Sequence, residues 1–256
     1  MHDDFRVIQK SSDLGWAPVV DRVDREPAYL LHQRPYRNSS QLLECFSPNY
    51  GRVGLVAQGS RRARGGTRAL LQPFVPLSLS WSRRGELGRV TTVDVFAHAI
   101  ELGGRHLLAG YYASELILYL LARDDANPAA FSNYSDCLTA LGRCESIART
   151  LRLYEYRLLR SLGFGLELER DVVSSEPIQA DLRYSFDVEH GPRAVVGTIG
   201  HRGRDLISLR DERLDDESSI ATARDVLGEA LTRHLGGRRL RSRDVAREIV
   251  ARGIEL

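Results

Sequence analysis

Leu77-Ser78-Leu79-Ser80-Trp81 alternates apolar and polar side chains with a period of two, the pattern of a β-strand with one face in a core. Working outward, residues 28–96 break into short β-type runs at 28–32, 41–47, 52–58, 70–81 and 86–96. The breakers between them are equally legible: Arg34-Pro35 with Asn38-Ser39-Ser40, then Pro48-Asn49-Tyr50-Gly51, then a Gly- and Arg-rich stretch at 59–67, then 82–85.

Five short antiparallel strands in about 70 residues suit a small closed barrel, and the five-stranded OB-fold is the one whose face and loops hold oligonucleotides. An SH3-like barrel is the alternative. Beyond residue 96 the period becomes helical. Leu107, Leu108, Tyr111, Tyr112, Leu116, Tyr119 and Leu120 form one stripe, ended by Asp124-Asp125 and Asn127-Pro128. A second helix runs from Pro128 through Phe131, Tyr134, Leu138 and Leu141, and a third from Ile147 to Leu162, stopped by Gly163. Runs at 182–188 and 194–199 flank His190-Gly191-Pro192 as a hairpin. Ser218 or Ser219 is the expected cap of a helix ending at Gly236-Gly237, and Ser242 of a terminal helix carrying Val245, Ile249 and Val250. The expected architecture is α+β: a leader at 1–27 with a strand at 19–23, an N-terminal five-stranded OB-fold β-barrel at 28–96, then an all-helical domain at 97–256 with a small β-hairpin insertion at about 166–200.

A chain of 256 residues, 43% hydrophobic and 27% charged, can bury a core without disulfides. Its three cysteines, at 45, 137 and 144, form neither a disulfide framework nor a paired metal knuckle, which fits a reducing cytoplasmic setting. The longest apolar runs, such as 116–122, are far short of the roughly 20 residues a membrane-spanning helix needs.

The net charge of +2 conceals segregation. Residues 28–93 carry +8, residues 94–232 carry −8, and residues 233–247 carry +5. Genome composition accounts for arginine over lysine, since Lys10 is the only lysine, but not for two basic segments flanking an acidic middle. Such segments attract polyanions through Coulomb attraction and counterion release, and nucleic acid is the obvious polyanion. No Walker-type phosphate loop, dinucleotide fingerprint, HExxH or GxSxG string occurs, and the seven histidines lack ligand spacing. Asp215-Asp216-Glu217 precedes a helix, where it complements the dipole more simply than it binds a cation. No catalytic residue, metal or cofactor is assigned.

Three ordered strings and two downstream echoes point to a family. They are Leu31-His32-Gln33-Arg34-Pro35-Tyr36; Tyr50-Gly51-Arg52-Val53-Gly54-Leu55-Val56-Ala57-Gln58-Gly59-Ser60-Arg61-Arg62; Leu71-Gln72-Pro73-Phe74-Val75-Pro76-Leu77; then, downstream, residues 151–165, containing Tyr154-Glu155, Leu158-Leu159 and Leu162-Gly163-Phe164-Gly165; and Leu235-Gly236-Gly237 followed by Leu240-Arg241-Ser242-Arg243. Together they resemble the bacterial recombination mediator RecO. The resemblance implies an OB-fold joined to a helical domain and a nucleoid-associated, non-enzymatic DNA-repair protein. Such proteins bind single- and double-stranded DNA, anneal strands, work with RecR, and help RecA load onto DNA coated by single-strand-binding protein (SSB). On that basis Arg34, Arg37, Arg52, Arg61, Arg62, Arg64 and Arg68 are phosphate candidates, with 59–68 as a mobile basic loop. Arg238, Arg239, Arg241 and Arg243 would extend the track, and Tyr36 and Phe74 are candidates for base stacking, against simple core packing. The family also captures the acidic C-terminal tail of SSB, for which Leu151, Arg152 and Tyr154 are nominated, against a plain pairing of Arg152 with Glu155.

Two departures are visible. Many members carry four zinc-binding cysteines after the Gly-aromatic exit, whereas residues 167–178 contain none, so zinc is not expected. Several members also carry a glutamate where this chain has Asn38. An OB-type RNA-binding module and a nuclease using Asp215, Asp216 and Glu217 are the rival readings.

Overall fold

The computed structural model describes residues 21–59 and 67–251. Strands β1 (Asp21–Tyr36), β2 (Ser40–Ser47), β3 (Gly51–Ala57), β4 (Leu77–Arg83) and β5 (Gly88–Val95) close into a barrel of order β1-β2-β3-β5-β4. Neighbours are antiparallel except β3 and β5, where Leu55 faces Gly88 and Val56 faces Arg89. With the single helical turn α1 (Thr67–Leu70) between β3 and β4, this is the expected OB-fold.

The strands expected at 19–23 and 28–32 are one strand. Residues 21–27 pair with β4 from Asp21↔Arg83 to Pro27↔Ser78, and the strand then continues through Pro35 against β2, so 24–27, expected as leader, join the two. Bulges at Val23/Glu26 and Leu30/His32 let one strand serve both neighbours. The charged residues of 21–26 hid this segment: Val23 is buried in the barrel while Arg22, Asp24 and Arg25 are exposed. Residues 1–20, including part of the expected strand at 19–23, lie outside the described residues.

The expected strand at 70–81 is also shorter, beginning only at Leu77. Pro73 and Pro76 offer no N–H to a ladder, and Phe74 takes φ 64°, so residues 71–76 form turns instead. Phe74 is 4% exposed, with its ring against Gly110 and edge-on to Tyr111 at 5.2 Å. Phe74→Ala should therefore act on stability, costing about 3–5 kcal/mol in urea unfolding as a buried phenyl deletion does.

The outer face of β1 and β2 is not free. Tyr29 and Phe46 meet Phe131, each at 5.5 Å between ring centroids, and both also contact Tyr134. These aromatics weld the barrel to a helical body of α2 (Gly104–Leu120), α3 (Pro128–Gly142), α4 (Ile147–Ser161), α5 (Gly203–Arg210), α6 (Glu217–Leu235) and α7 (Arg241–Ala251). The helix starts follow local chemistry: the Asn127 side chain accepts from Ala130 N ahead of Pro128, and Ser146 accepts from Arg149 N. At α6 the cap is Asp216, not Ser218 or Ser219; its carboxylate accepts from Ser219 N at 2.7 Å while Ser219 Oγ reaches back to Asp216 N. An acid one turn earlier thus outcompetes the serines. The α7 cap is not local either: Glu115 of α2 accepts from Arg241 N, Ser242 N and Ser242 Oγ at 2.6–3.0 Å.

The insertion is a three-stranded sheet of order β7-β6-β8, from β6 (Arg183–Asp187), β7 (Gly191–Val195) and β8 (His201–Arg202). The expected hairpin is present, but its turn is 188–190, closed by the Asp187 carboxylate accepting from Glu189 N and His190 N, and Gly191 and Pro192 already pair with β6. β8 and α5 have no counterpart in the expected elements. Asp171 ties the preceding loop to the sheet, accepting backbone N–H from Val173, Ser174 and Ala194.

Candidate nucleic-acid interface

Side chains two apart on a strand share a face, so His32, Arg34 and Tyr36 line one edge of β1. His32 and Arg34 are exposed, and Tyr36 is half-buried. Arg37, left-handed at φ 51°, turns its guanidinium back over the Tyr36 ring at 5.2 Å, so one face of that ring is already taken by a cation. Beside this edge lies a cavity of about 340 Å³ lined by His32, Arg34, Leu42, Glu44, Arg52, Leu118, Tyr119 and Arg123. It opens toward a second, larger cleft of about 630 Å³, with which it shares His32, Leu118 and Tyr119. α7 forms the far wall of the larger cleft through Arg241, Ser242 and Val245.

The C-terminal arginines come to the same place. Arg238 donates to Tyr119 O at 3.2 Å and lies over the Tyr119 ring at 5.8 Å. Arg239 and Arg241 are exposed. Arg243 is half-buried and donates to Tyr112 Oη at 2.9 Å, so it anchors α7 to α2 rather than facing solvent. The two basic segments, about 200 residues apart in the chain, therefore flank one strip of α2 around Tyr119. His32, Tyr119 and Arg123 escaped the sequence reading. Arg123 sits in the acidic middle segment, and nothing local signals that α2 delivers it to the barrel.

Two nominated residues do other work. Arg52 has a side chain 15% exposed; its Nη2 donates to Glu44 at 2.8 Å, and its Nη1 donates to the carbonyls of Leu118 and Leu121 at the end of α2. It satisfies helix-terminal carbonyls and is not a free phosphate ligand. Phe74 is packed as described above and offers no face to a base. Arg123 completes the junction, donating to both oxygens of Glu44. Burial would raise the Glu44 carboxyl, but hydrogen bonds from Arg123 and Arg52 outweigh it and hold it below the ordinary glutamate range. Chain entry from α2 is equally tight: Asp124 N donates to Arg52 O, and at Gly51, φ 64°, any Cβ would collide with the Asp125 backbone.

The α4 candidates also face inward. Arg152, with a side chain 11% exposed, donates to Glu155 at 2.6 Å, and Tyr112 Oη donates to the same oxygen at 2.5 Å. Burial pushes the Glu155 carboxyl up, against the pull of Arg152. Tyr154 is buried, donating to Ala113 O, and Leu151 is half-buried against the core. Arg61, Arg62 and Arg64 lie outside the described residues, and Arg68 belongs to α1. Among the described residues, the one His/Asp/Glu group close enough to share an ion is the exposed turn Asp187, Glu189 and His190, while Asp216 serves as a helix cap.

Comparison with known proteins agrees with this layout. Residues 23–98 match the family described as "Recombination protein O N terminal", and residues 104–244 match "Recombination protein O C terminal". The chain belongs to the RecO family. Proteins named DNA repair protein RecO are similar along nearly their whole length: that of Nitrosococcus oceani is 41% identical over 232 residues, 89% of this chain and 94% of the relative. The one from Methylococcus capsulatus is 38% identical over 227 residues, 88% and 94%, and the one from Halorhodospira halophila 40% over 233 residues, 88% and 97%. Family membership places the chain among DNA repair and recombination proteins. Among the described residues, no helix is long and apolar enough to cross a membrane.

Proposed function

We propose that this RecO-family chain is a non-enzymatic recombination mediator that binds single- and double-stranded DNA, anneals complementary strands and helps RecA load onto SSB-coated DNA. The observation that carries the reading is the meeting of the two arginine segments around Tyr119, because a strand laid along that strip touches cations from both the barrel and the C-terminal arm. Contacts of this kind hold phosphates and do not read bases, as a mediator that must act on any sequence requires. The acting state is cytoplasmic and nucleoid-associated, with RecR and the SSB tail as partners.

Tail capture on α4 carries a condition. A tail carboxylate reaching Arg152 must compete with the buried Glu155, so Arg152 has to leave an existing pair to serve as a partner site.

The test is annealing of complementary strands precoated with SSB, without nucleotide or metal, beside SSB lacking its acidic tail. The expected result is fast annealing by the intact chain and at least a ten-fold slower rate with tailless SSB. Absence of annealing with DNA binding intact would reduce the role to DNA binding. Preference for structured RNA over single-stranded DNA at matched salt would move the function to RNA.

A further inference from the structure

We infer that the larger cleft, between β1, α2 and α7, is a receptor for one unstacked nucleobase of single-stranded DNA; this deepens the DNA-binding reading and rests on it. The cleft is about 630 Å³, within the range of pockets that enclose small flat ligands. Its walls are chiefly apolar: Leu31 and Pro73 from the barrel side, Leu108 and Leu118 from α2, Val245 from α7. Tyr111 and Tyr119 line it as well. Tyr111 is 42% exposed and Val245 44% exposed, so this apolar surface is open to an incoming group.

Charge decides what kind of group. His32 stands on the barrel rim and Arg241 on the α7 rim, and Arg34 lines the smaller cavity that adjoins the cleft and shares His32 with it. The one carboxylate in the lining, Glu115, is already occupied by three donors at the start of α7. An arginine on the α7 rim of an apolar slot and a second in the cavity adjoining its barrel side complement a ligand that is flat and apolar in the middle and anionic on either side, which describes a base between its two phosphates. Tyrosine faces accept any base, so such a slot adds affinity without sequence preference. A paired base must first be unstacked to enter, so the slot favours single strands over duplex.

The test uses the full chain and a thymidine oligonucleotide with one central 2-aminopurine. Val245→Trp fills the slot from α7, and Leu108→Trp fills it from α2, so either variant that folds is informative. The expected result for the intact chain is a change in 2-aminopurine fluorescence on binding. In the filled variants that change is lost, single-strand affinity falls about ten-fold, in keeping with the loss of one stacked base, and duplex affinity is unchanged. Folded filled variants that keep both the fluorescence change and the single-strand affinity would overturn the inference. The underlying reading fails separately: it does so if Arg34→Ala and Arg241→Ala leave binding of both single and double strands intact.

Discussion

Glu44→Ala is expected to loosen the barrel from the helical body and to destabilise the protein by about 3–5 kcal/mol, the range for removing one partner of a buried ion pair. Glu44 is 9% exposed, and both its oxygens are used, one by Arg52 and Arg123 together and the other by Arg123. Without it, Arg52 keeps only the α2 carbonyls and has no counter-charge in a nearly buried place. Arg123, with a side chain 45% exposed, can turn to water, so its share of the loss is the smaller one. Urea unfolding checks the size of the effect, and a second transition would show the barrel and helices parting separately.

The pH dependence has a definite sign. A carboxyl whose folded pKa is depressed contributes stability at pH above its unfolded value, about 4.3 for glutamate, and loses it as pH falls through the folded value. The gap in stability between the intact chain and Glu44→Ala should therefore be full near neutrality and narrow on acidification below that point.

A fourfold variant, Arg34→Ala, Arg37→Ala, Arg238→Ala and Arg241→Ala, is expected to lose DNA affinity by at least about a hundred-fold at low salt, since each removed phosphate contact removes a share of counterion release. None of the four is buried, so folding should be intact by circular dichroism and urea unfolding. Single and double strands should both weaken, because phosphates are common to both. Two comparisons separate a track from mere positive charge. Arg84→Ala with Arg89→Ala removes two exposed arginines on the β4–β5 side of the barrel and should change affinity little. Arg52→Ala should instead lower stability, since its guanidinium binds protein atoms.

Local patterns carried most of the fold. The alternation around Trp81 and the breakers between the runs were sufficient for a five-stranded barrel, and Pro128, Gly163 and Gly236 marked helix ends. What stayed hidden depends on contacts distant in sequence. Residues 24–27 continue the strand expected at 19–23 because β4 pairs with them, although their mixed charges and Pro27 gave no strand period of their own. α7 is capped by Glu115, some 126 residues away, so Ser242 was the natural but mistaken choice. The site was half legible for the same reason. Charge segregation identified both arginine clusters, and exposure supports Arg34, Arg37, Arg238, Arg239 and Arg241 as surface groups. Arg52 and Phe74 belong to strings that resemble the family, yet such strings preserve packing as readily as binding, and only the contacts assign these two to the barrel–helix junction.

The central claim, that the barrel edge and the C-terminal arm hold one DNA strand together, is tested most directly by the salt dependence of single-strand affinity in the intact chain and the fourfold variant. If the four arginines neutralise phosphates, the slope of log affinity against log salt should become shallower by roughly 3, at about 0.7 per contact on single strands. Equal slopes in the two proteins would contradict the track and place the DNA elsewhere on the molecule.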